Sequence, residues 1–182
     1  MNYIIVAPHS YCLTFKTRVC DKLAYKAAQF FAEFFNSKNQ AHVLMLPSTI
    51  PRSLQDSNRK EGRDSPLRKQ LRIEVNNRTN PFVLECHSFY DKNKLYDIYT
   101  GFKDNNVYMI SDYGKKNKLY DKLGEKYIII SGIDNDIQKE MRNMGIPTIL
   151  IEFYEGLPMK ELQKLCNDIG KELVEFYINN NN

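Results

Sequence analysis

The chain of 182 residues is long enough for one hydrophobic core and too short for two full ones. With 42% hydrophobic and 26% charged residues, it lies outside the composition of chains that stay disordered. Its 26 Lys and Arg against 22 Asp and Glu leave a net charge of only +4, which gives no reason to expect nucleic acid as a partner.

Apolar runs of strand length alternate with stretches of helical period. A first strand is predicted over Tyr3 to Ala7. It is followed by a helix over Thr17 to Asn36, where Val19, Leu23, Ala27, Phe30, Phe31 and Phe34 recur at steps of three and four and form one apolar face. A second strand, His42 to Leu46, leads into a long excursion from Leu46 to Ser65 that is rich in charge and punctuated by Pro47 and Pro51. Loops of that length in compact domains are often functional. A helix from Pro66 to Arg78 and strands at Phe82 to Cys86 and Val107 to Ser111 come next. The chain then continues with a helix over Lys115 to Lys126, a strand at Tyr127 to Ser131, a helix at Asn135 to Asn143, a strand at Thr148 to Phe153 and a last helix from Pro158 to Tyr177. The order implies a single α/β hydrolase-like domain over 1–178 and a disordered tail at 179–182. Its sheet should be mostly parallel or mixed, of about six strands, flanked by helices on both faces.

No apolar stretch approaches the ~20 residues needed to span a bilayer. Residues 1–10 carry neither the basic start nor the long apolar run of a signal peptide. Cys12, Cys20, Cys86 and Cys166 form no Cys-x-x-Cys pair. A cytoplasmic protein with reduced thiols and no membrane partner is expected.

Two of the three histidines end apolar strands in near-identical contexts, Val6-Ala7-Pro8-His9-Ser10 and Leu84-Glu85-Cys86-His87-Ser88. The carboxyl ends of strands are where ligands bind in such sheets, so both imidazoles should open on one edge. A third strand carries Glu152 at the matching place, inside an apolar run that has no use for a carboxylate. Taken singly, each of these residues is more often a hydrogen-bonded structural group; three on three strands point to a site. The excursion adds Asp56-Ser57-Asn58-Arg59 and then Arg63. An arginine fork suits bidentate capture of a carboxylate, and Asn58 beside it can bond the same ligand. His42, at the opposite end of its strand, is left out.

This succession of Pro8-His9-Ser10, Asp56-x-Asn58-Arg59, His87-Ser88 and Glu152 resembles the N-formylglutamate amidohydrolase family and, more remotely, the zinc carboxypeptidases. The resemblance implies a zinc amidohydrolase in which His9 and His87 hold the metal, Asn58 and Arg59 grip a substrate carboxylate, and Glu152 is the general base. The third ligand departs from the carboxypeptidase pattern, since Cys12 stands three residues after His9. Cys12 is chemically possible, but Asp21 is preferred, because the start of the first helix falls at the same sheet edge. The substrate would be a small acylated amino acid or a peptide end. Tyr11, Tyr90, Tyr113 and Tyr154 are further donors among which the sequence does not choose. Glu155 should face away from Glu152 by strand alternation and be functionally silent.

Two rival readings remain. A cysteine hydrolase would use Cys86 or Cys12 as nucleophile, but Cys86 and His87 must point to opposite faces of their strand. A non-enzymatic module would bind an acidic ligand through Arg52, Arg59, Arg63, Arg68 and Arg72.

Overall fold

Alternating side chains along three strands divide the apolar core between the two faces of one sheet. Tyr3, Ile5 and Ala7 pack on one face with Phe82, Leu84, Cys86, Ile149, Ile151 and Phe153, while Ile4, Val6 and Val83 pack on the other. The computed structural model describes residues 2–11, 20–38, 42–89, 107–110, 123–130 and 135–180. Its elements are β1 (Asn2–Ala7), α1 (Ala24–Ser37), β2 (His42–Pro47), α2 (Pro66–Asn77), β3 (Pro81–Phe89), β4 (Val107–Ile110), β5 (Ile128–Ile130), α3 (Asp136–Asn143), β6 (Thr148–Tyr154) and α4 (Met159–Asn180).

The sheet runs in the order β2-β1-β3-β6-β4-β5. Four of its strands, β2, β1, β3 and β6, form one continuous parallel block. The short strand β4 extends the sheet antiparallel to β6, and β5 pairs with β4. Helices α1 and α4 cover the first face, where Phe31 and Phe35 are fully buried and the Phe34 ring lies so close to Gly170 that any Cβ there would collide with it. Helices α2 and α3 cover the second face through Leu67, Leu71, Val75, Ile137 and Met141. Side-chain caps mark both helix starts on the second face. Ser65 accepts the Arg68 N–H ahead of Pro66, Asn135 accepts the Gln138 N–H, and Gly145 closes α3 at φ 71°.

Several expectations change. Helix α1 begins at Ala24, not Thr17, so Asp21 precedes the helix and does not lie in its first turn; residues 12–19, Cys12 among them, lie outside the described residues. Of the helix expected at Lys115 to Lys126, residues 115–122 lie outside the described set, and Leu123 and Gly124 are helical. Helix α4 continues to Asn180, beyond the boundary expected at 178. Cys20 is disulfide-bonded, while Cys86 and Cys166 are free and buried, which corrects the expectation of reduced thiols throughout. Among the described residues, no helix is long and apolar enough to cross a membrane.

The excursion after β2 is pinned to the second face by a buried arginine. Arg68 pairs with Glu140 on α3 and donates to the carbonyls of Ser57 (3.5 Å), Arg59 (3.2 Å) and Asp136 (3.3 Å). Arg72 adds a second contact to Glu140 at 2.8 Å. Burial alone would raise the Glu140 carboxyl, but hydrogen bonds from Arg72 and Arg68 outweigh it and hold the group below its usual value. A carboxyl lowered by folding stabilises at pH values above its unfolded pKa and loses that contribution as pH falls through the folded one. Glu140→Gln should therefore cost about 1–3 kcal/mol at pH 7 by leaving Arg68 underpaired. Chemical denaturation repeated towards pH 3 should show the parent losing this advantage.

Candidate metal centre

The polar residues of the site stand where the second face of the sheet stops being apolar. Along β3 the positions facing α2 and α3 read Val83, Glu85, His87, and along β6 they read Thr148, Leu150, Glu152. His87 and Glu152 are register partners on adjacent parallel strands, so their side chains stand next to each other on one face. His9 follows the end of β1, the strand on the other side of β3.

Asp21 joins the two histidines. Its Oδ2 lies 2.7 Å from His87 Nδ1 and 3.3 Å from His9 Nδ1, and the two rings meet edge to face with centroids 5.0 Å apart. All three residues are buried, and one donor atom from each lies within 4.8 Å of the others, which makes them a group able to hold a metal ion. The Asp21 backbone N–H donates to the His9 carbonyl at 3.0 Å.

Each histidine is backed by a second carboxylate on its outer nitrogen. His9 Nε2 is 2.8 Å from Asp56 Oδ1, and His87 Nε2 is 2.8 Å from Glu85 Oε1. A ring nitrogen that donates to a carboxylate leaves the other as a lone pair, and this is how metal-ligating histidines are usually held. His9 Nδ1 is buried and has no hydrogen-bond partner of its own. Its 3.3 Å separation from Asp21 Oδ2 matches two donors bound at about 2.0–2.1 Å around a tetrahedral ion. The donor set therefore fits a divalent cation, and two nitrogens with one carboxylate oxygen suit zinc.

The local electrostatics favour positive charge. Burial would raise the Asp21 carboxyl, but the hydrogen bond with His87 and the nearby His9 imidazole hold it well below the carboxylate range. Burial would lower His87, but its bonds to Asp21 and Glu85 hold it well above its ordinary value. Asp56 is likewise held low against burial by His9, by the Asn58 backbone N–H and by Arg52. Groups that stabilise a proton between them in this way would stabilise a metal cation in its place.

The triad lies at the wall of a cavity of ≈ 260 Å³ that also touches Arg52, Asn58, Arg59 and Glu152. Burial pushes the Glu152 carboxyl up to about 7; His87 opposes the shift, and Asp21 adds to it. Asn58 is buried with its Nδ2 2.9 Å from His87 Nε2, and Arg59 is exposed with its Nε 3.9 Å from Asp56 Oδ2. Arg63 is exposed and is not part of the cavity wall; its carbonyl accepts from Arg72. Tyr11 is exposed, Tyr154 packs on Phe89 with the rings tilted and their centroids 5.8 Å apart, and Tyr90 and Tyr113 lie outside the described residues.

Sequence reasoning missed Asp56 and Glu85 as partners of the histidines. The signal for Glu85 was its position two residues before His87, on the same strand face, inside an otherwise apolar run. Asp56 carried no such signal, because only the folded loop brings it to His9. That loop depends on Gly62, where an added Cβ would meet the Asp56 carbonyl oxygen at 2.0 Å.

One cysteine and two arginines drop out of the rival readings, while Cys12 lies outside the described residues. Cys86 is fully buried on the opposite face, and burial pushes its thiol far up, with the Glu85 charge adding to the effect. Arg68 and Arg72 are engaged with Glu140, so they are not available as a basic docking surface.

No protein-family model matches the chain, and no curated protein matches it in sequence. By structure it is similar to the gene product Atu2144 of Agrobacterium tumefaciens, with 13% identity and a TM-score of 0.66 over 100% of this chain and 92% of that one. It is also similar to the CwlD amidase of Clostridioides difficile, solved in complex with the GerS lipoprotein, with 14% identity and a TM-score of 0.60 over 97% of this chain and 98% of that one. At these identities the likeness establishes a shared fold.

The site makes a direct prediction about binding. Titration with zinc should show one tight site, which His9→Ala and His87→Ala abolish. Asp56→Asn and Glu85→Gln, which alter only the outer contacts, should weaken it about 10–100-fold.

Proposed function

We propose that this chain is a zinc-dependent amidohydrolase that cleaves an amide bond in a small N-acylated amino acid or at a peptide end bearing a free carboxylate. The observation that carries this reading is the pair of histidines, each held from behind by a carboxylate, turning their Nδ1 atoms towards Asp21 beside Glu152. The amidase among the structural neighbours agrees with it. The resemblance to N-formylglutamate amidohydrolases rests on the residues themselves. The disulfide at Cys20 argues against the reducing cytoplasm expected from the sequence.

A zinc ion on His9, His87 and Asp21 would supply Lewis-acid polarisation of the scissile carbonyl and acidify a water molecule. Glu152, at the cavity wall, would take a proton from the attacking water and pass it to the leaving nitrogen. Its carboxyl, pushed up to about 7, lies near the value at which one group serves as both base and acid. Arg59, exposed at the cavity wall, would bind the substrate carboxylate with its fork, and Arg52 extends the positive wall. Asn58, between the loop and His87, would fix the height of that wall above the metal ligands.

Glu152→Gln keeps shape and removes basicity, so kcat should fall about 10²- to 10⁴-fold while zinc binding persists. The base must be ionised, so kcat/KM should decline as pH falls through a limb at or below about 7, since a bound cation lowers the carboxyl further. Arg59→Lys should raise KM for free acids and leave amidated analogues, already poor substrates, unaffected. Hydrolysis assays on a panel of N-acyl amino acids and short peptides test the reading. No turnover with zinc bound, or equal turnover of amidated and free-acid forms, would overturn it.

A further inference from the structure

Glu155, one residue beyond β6, lies outside the cavity wall, yet it is tied to the segment that carries Asp21. Its Oε1 accepts from the backbone N–H of Lys22 at 2.9 Å and from the hydroxyl of Ser88 at 3.0 Å. Ser88 Oγ in turn accepts from the backbone N–H of Leu23 at 3.2 Å. The two N–H groups directly after Asp21 are thus both bound by a Glu155–Ser88 pair. The Glu155 N–H donates to the Phe89 carbonyl at 2.9 Å, which fixes its own position on the β3–β6 ladder.

Helix α1 needs this help from outside. Its cap position is Leu23, no side chain of the segment caps it, and its first turn holds no acid. Free N–H groups at a helix start attract a carboxylate, and the one supplied comes from 133 positions along the chain. The consequence reaches Asp21, whose carboxylate must stand between two imidazoles belonging to other elements. Before it, the Asp21 N–H is held by the His9 carbonyl; after it, Glu155 and Ser88 hold the next two residues. Ser88 neighbours His87, and Glu155 is three residues from Glu152, so one hydrogen-bonded pair references Asp21 to both.

We propose that Glu155 is a positioning residue for the metal site, setting the place of the Asp21 carboxylate through Ser88 and the Lys22 and Leu23 amides. This rests on the metal reading of His9, Asp21 and His87. A purely structural glutamate would change stability alone, whereas a positioning one changes the affinity of the folded protein for the ion.

The test is zinc affinity by chelator competition, with the Tm of each metal-free protein measured in parallel. Glu155→Ala should bind zinc at least about 10-fold more weakly, as loss of a partner that orients a ligand does. Glu155→Gln keeps an acceptor oxygen for the same donors and should recover most of that loss. Ser88→Ala, which removes the relay to Leu23, should weaken zinc as well, and it decides the matter if Glu155→Ala does not fold. Parent-like zinc affinity in folded Glu155→Ala, or in Ser88→Ala where Glu155→Ala does not fold, would overturn the proposal even if Tm falls. A parent protein that binds no zinc would overturn the metal reading and this inference with it.

Discussion

One carboxylate oxygen shared between two buried histidines governs the arrangement around it. Asp21 Oδ2 meets the Nδ1 atoms of His9 and His87, and each of those residues belongs to a different part of the chain. Burying three such groups is unfavourable unless charge and hydrogen bonds are balanced. Asp56 and Glu85 supply the balance from behind, so that two imidazoles lie among three carboxylates. Such a concentration of imidazoles and carboxylates, with Arg52 3.0 Å from Asp56 at its edge, suits a divalent cation better than an ordinary core.

The long excursion after β2 serves this centre more than it serves the open surface. Asp56 faces His9, the Asn58 amide lies against His87, and the Asn58 carbonyl accepts from Asp136 at the start of α3. Arg68 holds the loop through the Ser57 and Arg59 carbonyls and ties it to α3 through the Asp136 carbonyl and Glu140, while Gly62 allows the chain to pass against the Asp56 carbonyl. Asn135 both caps α3 and donates to Glu85 at 2.6 Å, so the helix that covers the second face also orients a carboxylate behind His87. Fold stability and site geometry therefore share the same hydrogen bonds, and substitutions in this region should be read for both.

The disulfide at Cys20 adds a covalent restraint directly before Asp21, on the side away from Glu155 and Ser88. Cys86 and Cys166, by contrast, behave as small apolar groups in the first-face core. Among the described residues, cysteine therefore contributes to packing and restraint.

Strand-terminal His9 and His87, the interrupted apolar run at Glu152 and the α/β order were legible in the sequence. Hydrophobic period and strand direction decide which residues reach the carboxyl edge, and both are written locally. What the sequence could not decide was which partners meet across long separations. Asp56 reaches His9 because Arg68 and Gly62 fold the excursion back, Glu155 is bound by Ser88 and the Lys22 amide, and Arg63 is not part of the cavity wall although it follows Arg59 by four positions. The start of α1 after Asp21, and not before it, likewise follows from tertiary hydrogen bonds that no local propensity encodes. Side-chain identity and period determine faces, but hydrogen-bond partners are chosen by proximity, and only the packed chain creates that.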